Sequence, residues 1–326
     1  MRSALGGAVL ALVLAGGTFT TAVAQPTFES AGERALGMGG AFVAVADDAT
    51  SAHWNPAGLA TGGPAGMTVG WLRSDAGKAD ELARPGATRL RGTYTSLGTW
   101  PLGLSYGTFR LTALKEDATG ELSADTLRTS QFGVTILQSL ADGLVLGSTV
   151  RYLRGGVVTA AAGGGSIDEA LSVTDDLDGH RSGTFDLDVG LMADMRRVRM
   201  GLTLKNLRSP TFGDDAVAAI TIPRQTRFGL AVLPSDGLTL ALDLDLETVD
   251  LVGDPYRMVA IGGEARLAER LLARTGVRWS LEGARRLVAA AGMSVALRRG
   301  LWLDGHIAQH RRGEDRELGL ALRAGL

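Results

Sequence analysis

Carboxylate, imidazole and amide side chains gather in one short stretch near the N-terminus, as Asp47-Asp48 followed by His53-Trp54-Asn55-Pro56-Ala57. Paired carboxylates beside a histidine are a set that general acid–base chemistry uses. The rest of the chain gives that chemistry little to work with. There are four histidines (His53, His180, His306 and His310) and no G-x-S-x-G elbow to carry a serine nucleophile. Gly37-x-Gly39 opens like a dinucleotide loop, but Phe42 stands where the third glycine is needed and no strand precedes it. Asp176-Leu177-Asp178-Gly179 resembles part of a calcium loop, yet Thr174 fills its first ligand position and Phe185 the place of its closing glutamate. Asp304, His306 and His310 would share one face of a strand. Positions four apart on a strand are ~13 Å apart, too far to share one ion. With no cysteine, thiol catalysis, disulfides and thiolate zinc sites are excluded. The expectation is a non-enzyme without cofactor or metal.

The 326 residues carry 33 basic and 35 acidic side chains mixed along the chain, a net charge of −2 that offers no basic tract for nucleic acid. Met1-Arg2, an apolar run from Ala4 to Ala15 and Ala22-Val23-Ala24 read as a secretory signal over residues 1–24. The longest later apolar run, Leu287 to Leu297, lies between Arg285-Arg286 and Arg298-Arg299. It is too short for a membrane helix, but a membrane strand takes only about 9–11 residues.

Beyond residue 65 the pattern has period two. In LTLALDLDLE the leucines at 238, 240, 242, 244 and 246 face one way, and Thr239, Ala241, Asp243, Asp245 and Glu247 face the other. FDLDVGLMAD, VRMGLTLK and RELGLALRAGL repeat it. Such strands build either a soluble sandwich or a barrel whose apolar face meets lipid. Strands of this length, about fourteen in number and joined by alternating short turns and long connections, favour the membrane barrel. The expected fold is therefore all-β: a transmembrane antiparallel barrel of about fourteen strands over residues 65–326. Aromatics make up 5% of the chain, so the aromatic girdles are thin. The long 154–182 connection predicts a glycine hinge followed by a short helix.

A barrel this wide cannot be filled by its own side chains and is either water-filled or plugged. Residues 25–64 suit a plug: Gly37, Gly39 and Gly40 permit tight bends and close approach to the wall. Asp47 and Asp48 are placed to cap a short helix from Thr50 to Trp54, which Asn55-Pro56 ends. Inside the barrel, Asp243, Asp245, Glu264, Arg266, Arg274 and Arg278 would point inward together from successive strands and could hold the plug by charge-assisted hydrogen bonds.

The run GERALGMGGAFVAVADDATSAHWNPAGLA resembles the N-terminal hatch of the FadL superfamily of outer-membrane proteins, and most of all its PorV-like branches. Asn55, Pro56 and Ala57 match that family's N-P-A motif and Asp47-Asp48 its acidic pair. His53 stands where an aromatic is usual, and the chain's last residue, Leu326, is not aromatic. The resemblance implies a fourteen-stranded barrel with a hatch in its lumen, seated in lipid of the bacterial outer membrane. It implies passive transport of a hydrophobic, fatty-acid-like small molecule, with the path set by Asp47, Asp48, His53, Trp54, Asn55, Pro56 and Ala57. The alternatives in the same fold are a PorV-like docking or shuttle component that binds export-system proteins, and a structural or conjugation-associated envelope protein.

Overall fold

The computed structural model describes residues 31–77, 83, 85–116, 120–163, 165–214, 217–249, 255–283, 287–310 and 316–325. The expected signal sequence, the first six residues of the expected plug and Leu326 lie outside them. The chain after residue 64 alternates polar and apolar side chains, and it folds into strands of that period. These are β1 (Ala65–Ala76), β2 (Thr88–Thr99), β3 (Leu102–Glu116), β4 (Leu122–Ala141), β5 (Leu144–Ala161), β6 (Ser182–Asp194) and β7 (Val198–Lys205). A hairpin of β8 (Thr211–Asp214) and β9 (Val217–Thr221) follows. The series resumes with β10 (Gln225–Ser235), β11 (Leu238–Asp245), β12 (Met258–Ala268), β13 (Leu271–Ser280), β14 (Leu287–Arg298), β15 (Leu301–His310) and β16 (Arg316–Gly325). Every barrel strand pairs antiparallel with its neighbours, and β1 closes on β16 from Gly66↔Gly325 to Asp75↔Arg316. Among the described residues the wall has fourteen strands, as the sequence pattern predicts.

The alternation has the sense of a membrane barrel. Exposed apolar side chains such as Met67, Val69, Leu104, Phe132, Val150, Leu240, Ile261, Ile307 and Leu320 stand on the outer face. Their neighbours Thr68, Ser96, Thr135, Thr149, Asp243 and Asp304 are buried inside. An apolar belt of this extent is stable against lipid and a liability in water. The short turns, such as 142–143 and 299–300, lie at the end where residue 65 enters, the periplasmic end of such barrels. Three differences from the sequence expectation stand out at the opposite end. β4 and β5 run 20 and 18 residues, several more than their alternation marked. Twenty residues rise ~66 Å, so even a strand tilted by ~45° outruns the ~25 Å apolar band and stands above the bilayer. There, Leu114 and Ala124 are covered on their outer side by Ile167, Ala170 and Leu171 of the β5–β6 connection, whose short helix α3 (Ile167–Ala170) follows the predicted glycine hinge. The third difference is the β8–β9 hairpin, read from sequence as plain loop. Its Phe212 and Ile220 pack on the inward-facing Leu127, Leu153 and Val157, covering part of the extracellular mouth.

Candidate functional site

Residues 31–62 run through the lumen and touch wall strands around its whole circumference. Two single-turn helices, α1 (Glu33–Gly37) and α2 (Ser51–Trp54), and a 3₁₀ turn (Pro56–Ala60) are joined by irregular backbone. Gly39 and Gly40 bend it with φ of 70° and 88°. Gly37 serves differently: a Cβ there would lie 3.0 Å from the Cα of Gly292, so the two backbones meet directly. The expected helix over 50–54 forms, but its N-cap is Thr50, with no side-chain cap. Asp48 instead accepts the Thr50 amide at 2.9 Å, and Asp47 is used for ion pairing. Asn55 is extended, as a residue before proline must be, and ends the helix.

Polar and ring contacts hold the segment at several places around the wall. The Arg34 guanidinium donates through Nε and Nη2 to the two oxygens of Glu264, both at 2.8 Å, and also pairs with Asp47 and Asp48. Glu264 is shared with Arg274 at 2.5 Å; Arg274 bonds Ser294, which bonds Asp304, which accepts from Arg323 at 2.8 Å. One polar chain thus runs from the inner segment across five consecutive strands, β12 to β16. Asp243 Oδ2 accepts the backbone N–H groups of Phe42 and Val43, each at 2.9 Å. Asn55, fully buried, donates to the carbonyls of Val43 (2.9 Å) and Leu191 (3.1 Å) and accepts from the Ala57 amide at 3.1 Å. Trp54 donates to the Ala31 carbonyl at 2.8 Å and lies edge-on to Phe42, with the Arg227 guanidinium 6.0 Å from its ring. Lys205 Nζ lies 3.1 Å from the His53 ring.

The inward charges named from the sequence therefore divide. Asp243 and Glu264 touch the segment, and Arg274 supports it at one remove. Asp245 bonds the wall residue Arg227 at 2.6 Å and the Met258 amide at 2.9 Å, while Arg278 pairs with Glu317 at 2.9 Å. Arg266 is exposed and does not join this network. With Arg34, Asp47, Asp48, Glu264, Trp302 and Arg323 it lines a cavity of about 330 Å³ at the periplasmic end. His306, buried in the lumen, sits 3.2 Å from Glu317.

Three features carry weight that sequence reasoning did not assign them. Arg34 is the segment's main ion-pairing group. Arg151 clamps Asp186 (2.7 Å), Asp188 (2.9 Å) and Asn206 (2.6 Å) where the β6–β7 ladder is short. The wall also carries inward-facing glycines, Gly147, Gly190, Gly201, Gly229, Gly262 and Gly276, at each of which a Cβ would come within 2.8 Å of an atom of the segment. Their signal was available: glycine weakens a strand, so its recurrence on the polar face of successive strands marks close backbone approach.

Glu33 adds a pH-dependent element. Its carboxyl accepts from the Tyr94 hydroxyl inside the protein, and burial, with the nearby Asp304 and Asp48, pushes its pKa up from 4.5 to about 8. A carboxyl with a raised folded-state pKa holds its proton when docked. Its contribution to docking is complete below about pH 4.5 and is lost progressively as pH rises to about 8. Protease sensitivity of residues 31–62 is expected to rise across that window and to rise less steeply in Glu33→Gln, the remaining slope belonging to Asp243, a second buried carboxyl in contact with the segment.

A family model described as "F plasmid transfer operon, TraF, protein" matches residues 92–245. No curated protein sequence matches the chain at a significant level. Solved structures do. The CymD monoaromatic hydrocarbon channel superposes with a TM-score of 0.65 at 12% identity, covering 92% of this chain and 98% of its own. The Ralstonia pickettii toluene transporter TbuX gives 0.64 at 14%, covering 92% and 99%. A Pseudomonas aeruginosa FadL homologue gives 0.57 at 12%, covering 89% and 96%. The fold is that of the FadL-type barrels. At these identities the likeness is one of architecture, extending over nearly the full length of both chains.

Proposed function

We propose that this chain is an outer-membrane conduit for passive movement of small hydrophobic molecules, with residues 25–64 as its hatch. The observation that carries the reading is how the lumen is filled. The hatch is docked by replaceable polar contacts (Arg34–Glu264, Asp243 with two amides, Asn55) against a wall stripped of side chains where the backbones meet. A plug held in this way can shift as a unit without unfolding the barrel. The solutes named for the fold's neighbours, monoaromatic hydrocarbons and toluene, agree with a hydrophobic cargo; a fatty acid is the larger candidate of the same class. Asp47, Asp48, His53, Trp54, Asn55, Pro56 and Ala57 would border the path that opens. The PorV-like docking role is less favoured, because an occupied lumen leaves a partner protein little to enter.

A second reading rests on the family model at residues 92–245, whose description places it in a plasmid transfer operon. The protein would then be an envelope component of conjugation. Deleting the gene and measuring toluene influx, myristate uptake and mating frequency in the same strain separates them. Lost influx or uptake with unchanged mating is the expected result. Lost mating with unchanged influx and uptake would overturn the conduit in favour of the conjugation role.

A further inference from the structure

We infer that the outer face of β1–β5 carries a binding site for the phosphate group of an outer-leaflet membrane lipid. The site follows from strand register. Arg73, Arg91, Arg110 and Arg128 stand directly opposite one another across β1, β2, β3 and β4. Like charges in direct cross-strand register destabilise a sheet unless something negative lies over them. They all face outward: the outward-facing Tyr106, Phe132 and Tyr152 share their parity and are 51%, 47% and 43% exposed. In the next row toward the membrane, Trp71, Thr93, Thr108, Ser130 and Arg154 are in register. Below that come Val69, Thr95, Tyr106, Phe132, Tyr152 and Phe185. The vertical order is guanidinium, hydroxyl, then aromatic and apolar. That is the order in which a phospholipid presents phosphate, glycerol or sugar, and acyl chain.

Among the described residues, little negative charge lies over this row, Asp168 approaching Arg73 only at 3.8 Å. Asp175 of the β5–β6 connection is shared between Arg91 (3.1 Å) and Arg110, and Arg73 is served by Asp75 at 2.8 Å. Asp178, 89% exposed, reaches Arg128 only at 3.9 Å and Arg181 at 3.5 Å. Arg128 binds the carbonyls of Thr174 and Asp175, while its buried Nε has no hydrogen-bond partner. Arg91, Arg110, Arg128, Arg154 and Arg181 thus face two carboxylates around a groove of about 340 Å³, with Thr93 and Ser130 on its floor. Arginine forks and hydroxyls together are the donor set that binds phosphate. The groove opens sideways, at the extracellular edge of the apolar belt, where basic pockets bind lipid headgroups. Charge, shape and depth select a lipid phosphate over a soluble anion.

The inference rests on the barrel's being seated in the outer membrane, and fractionation reports on that separately. The test is native mass spectrometry of delipidated full-length protein in detergent. The probes are bisphosphorylated lipid A, its dephosphorylated form and inorganic phosphate. The phosphorylated lipid is expected to bind, and to be retained roughly tenfold less well by Arg154→Gln, where one charge-assisted bond (~1.4 kcal/mol) is lost. Arg110→Gln/Arg128→Gln should lose more, and Arg154→Gln, an exposed position outside the buried network, keeps the test valid if the double variant fails to assemble. Equal retention of the dephosphorylated lipid would overturn the proposal. So would inorganic phosphate binding as tightly as the lipid. Outer-membrane recovery with no phosphate preference would sink this inference and leave the conduit standing.

Discussion

Asp243→Ala is expected to release the N-terminal segment from the barrel wall. The carboxylate of Asp243 is the acceptor for two consecutive buried amides, Phe42 and Val43, at 2.9 Å each. Truncation leaves both N–H groups in a water-poor lumen with nothing to bond. Each orphaned donor costs about 1–3 kcal/mol, so the variant loses about 2–6 kcal/mol of docking free energy. The barrel is unaffected in its ladder, because β11 pairs with β10 and β12 through backbone groups. Cleavage of residues 31–62 by added protease should therefore accelerate strongly while the barrel keeps its heat-modifiable mobility on a gel. Asp243→Asn retains an acceptor oxygen at the same place and should lose well under half as much. If Asp243→Ala leaves the segment as protected as in the parent, the two amides are not what holds it.

How far this arrangement was legible in the sequence depends on which physical rule wrote each part. The strands at the membrane level were legible, because lipid outside and water or plug inside force strict alternation, as in Leu238 to Glu247. Above the membrane that constraint lapses. In β4 the outward-facing Leu122, Ala124 and Thr126 lie against the β5–β6 connection, so Ala124 and Thr126 are buried on the same face where lipid would demand larger apolar groups. Its strand ends were therefore read short. The β8–β9 hairpin was missed because four- and five-residue strands have no room for a period to show.

The candidate site was half legible for a similar reason. Composition marked residues 25–64 as a segment suited to close approach to the wall, with Asn55-Pro56 at its turn. Pairing is a different matter. Arg34 and Glu264 are 230 residues apart in sequence, and nothing local in either says that they meet. The same holds for Asp243 and the amides of Phe42 and Val43: a lumen carboxylate can be recognised by its parity on the strand, but the donor it serves belongs to the tertiary structure. Asp245, two positions away on the same face, has the same sequence character and bonds only the wall.

Gly276→Val is expected to open the barrel more completely than any anchor substitution, and through sterics rather than charge. A Cβ at position 276 would lie 2.2 Å from both the carbonyl carbon and oxygen of Met38 and 2.6 Å from the amide of Gly39. These are backbone atoms of the segment and cannot swing aside as a side-chain end would. The wall cannot retreat either, since β13 is paired on both sides along its length. Ordinary overpacking costs about 1–3 kcal/mol where side chains can adjust, and here they cannot, so the cost exceeds that range. Valine itself suits a strand, so the barrel should assemble normally. The bend at Gly39, with φ of 70° and its own ideal Cβ 2.8 Å from the Val277 amide, cannot re-form against the altered wall. Planar-bilayer recordings should then show raised ion conductance, together with proteolysis of residues 31–62. Gly66→Ala, whose Cβ would meet nothing closer than the Ala324 carbonyl at 3.5 Å, is the control and should behave as the parent. A docked segment and unchanged conductance in Gly276→Val would mean that the segment approaches β13 less closely than backbone contact. The inward glycines would then need another reason to be there.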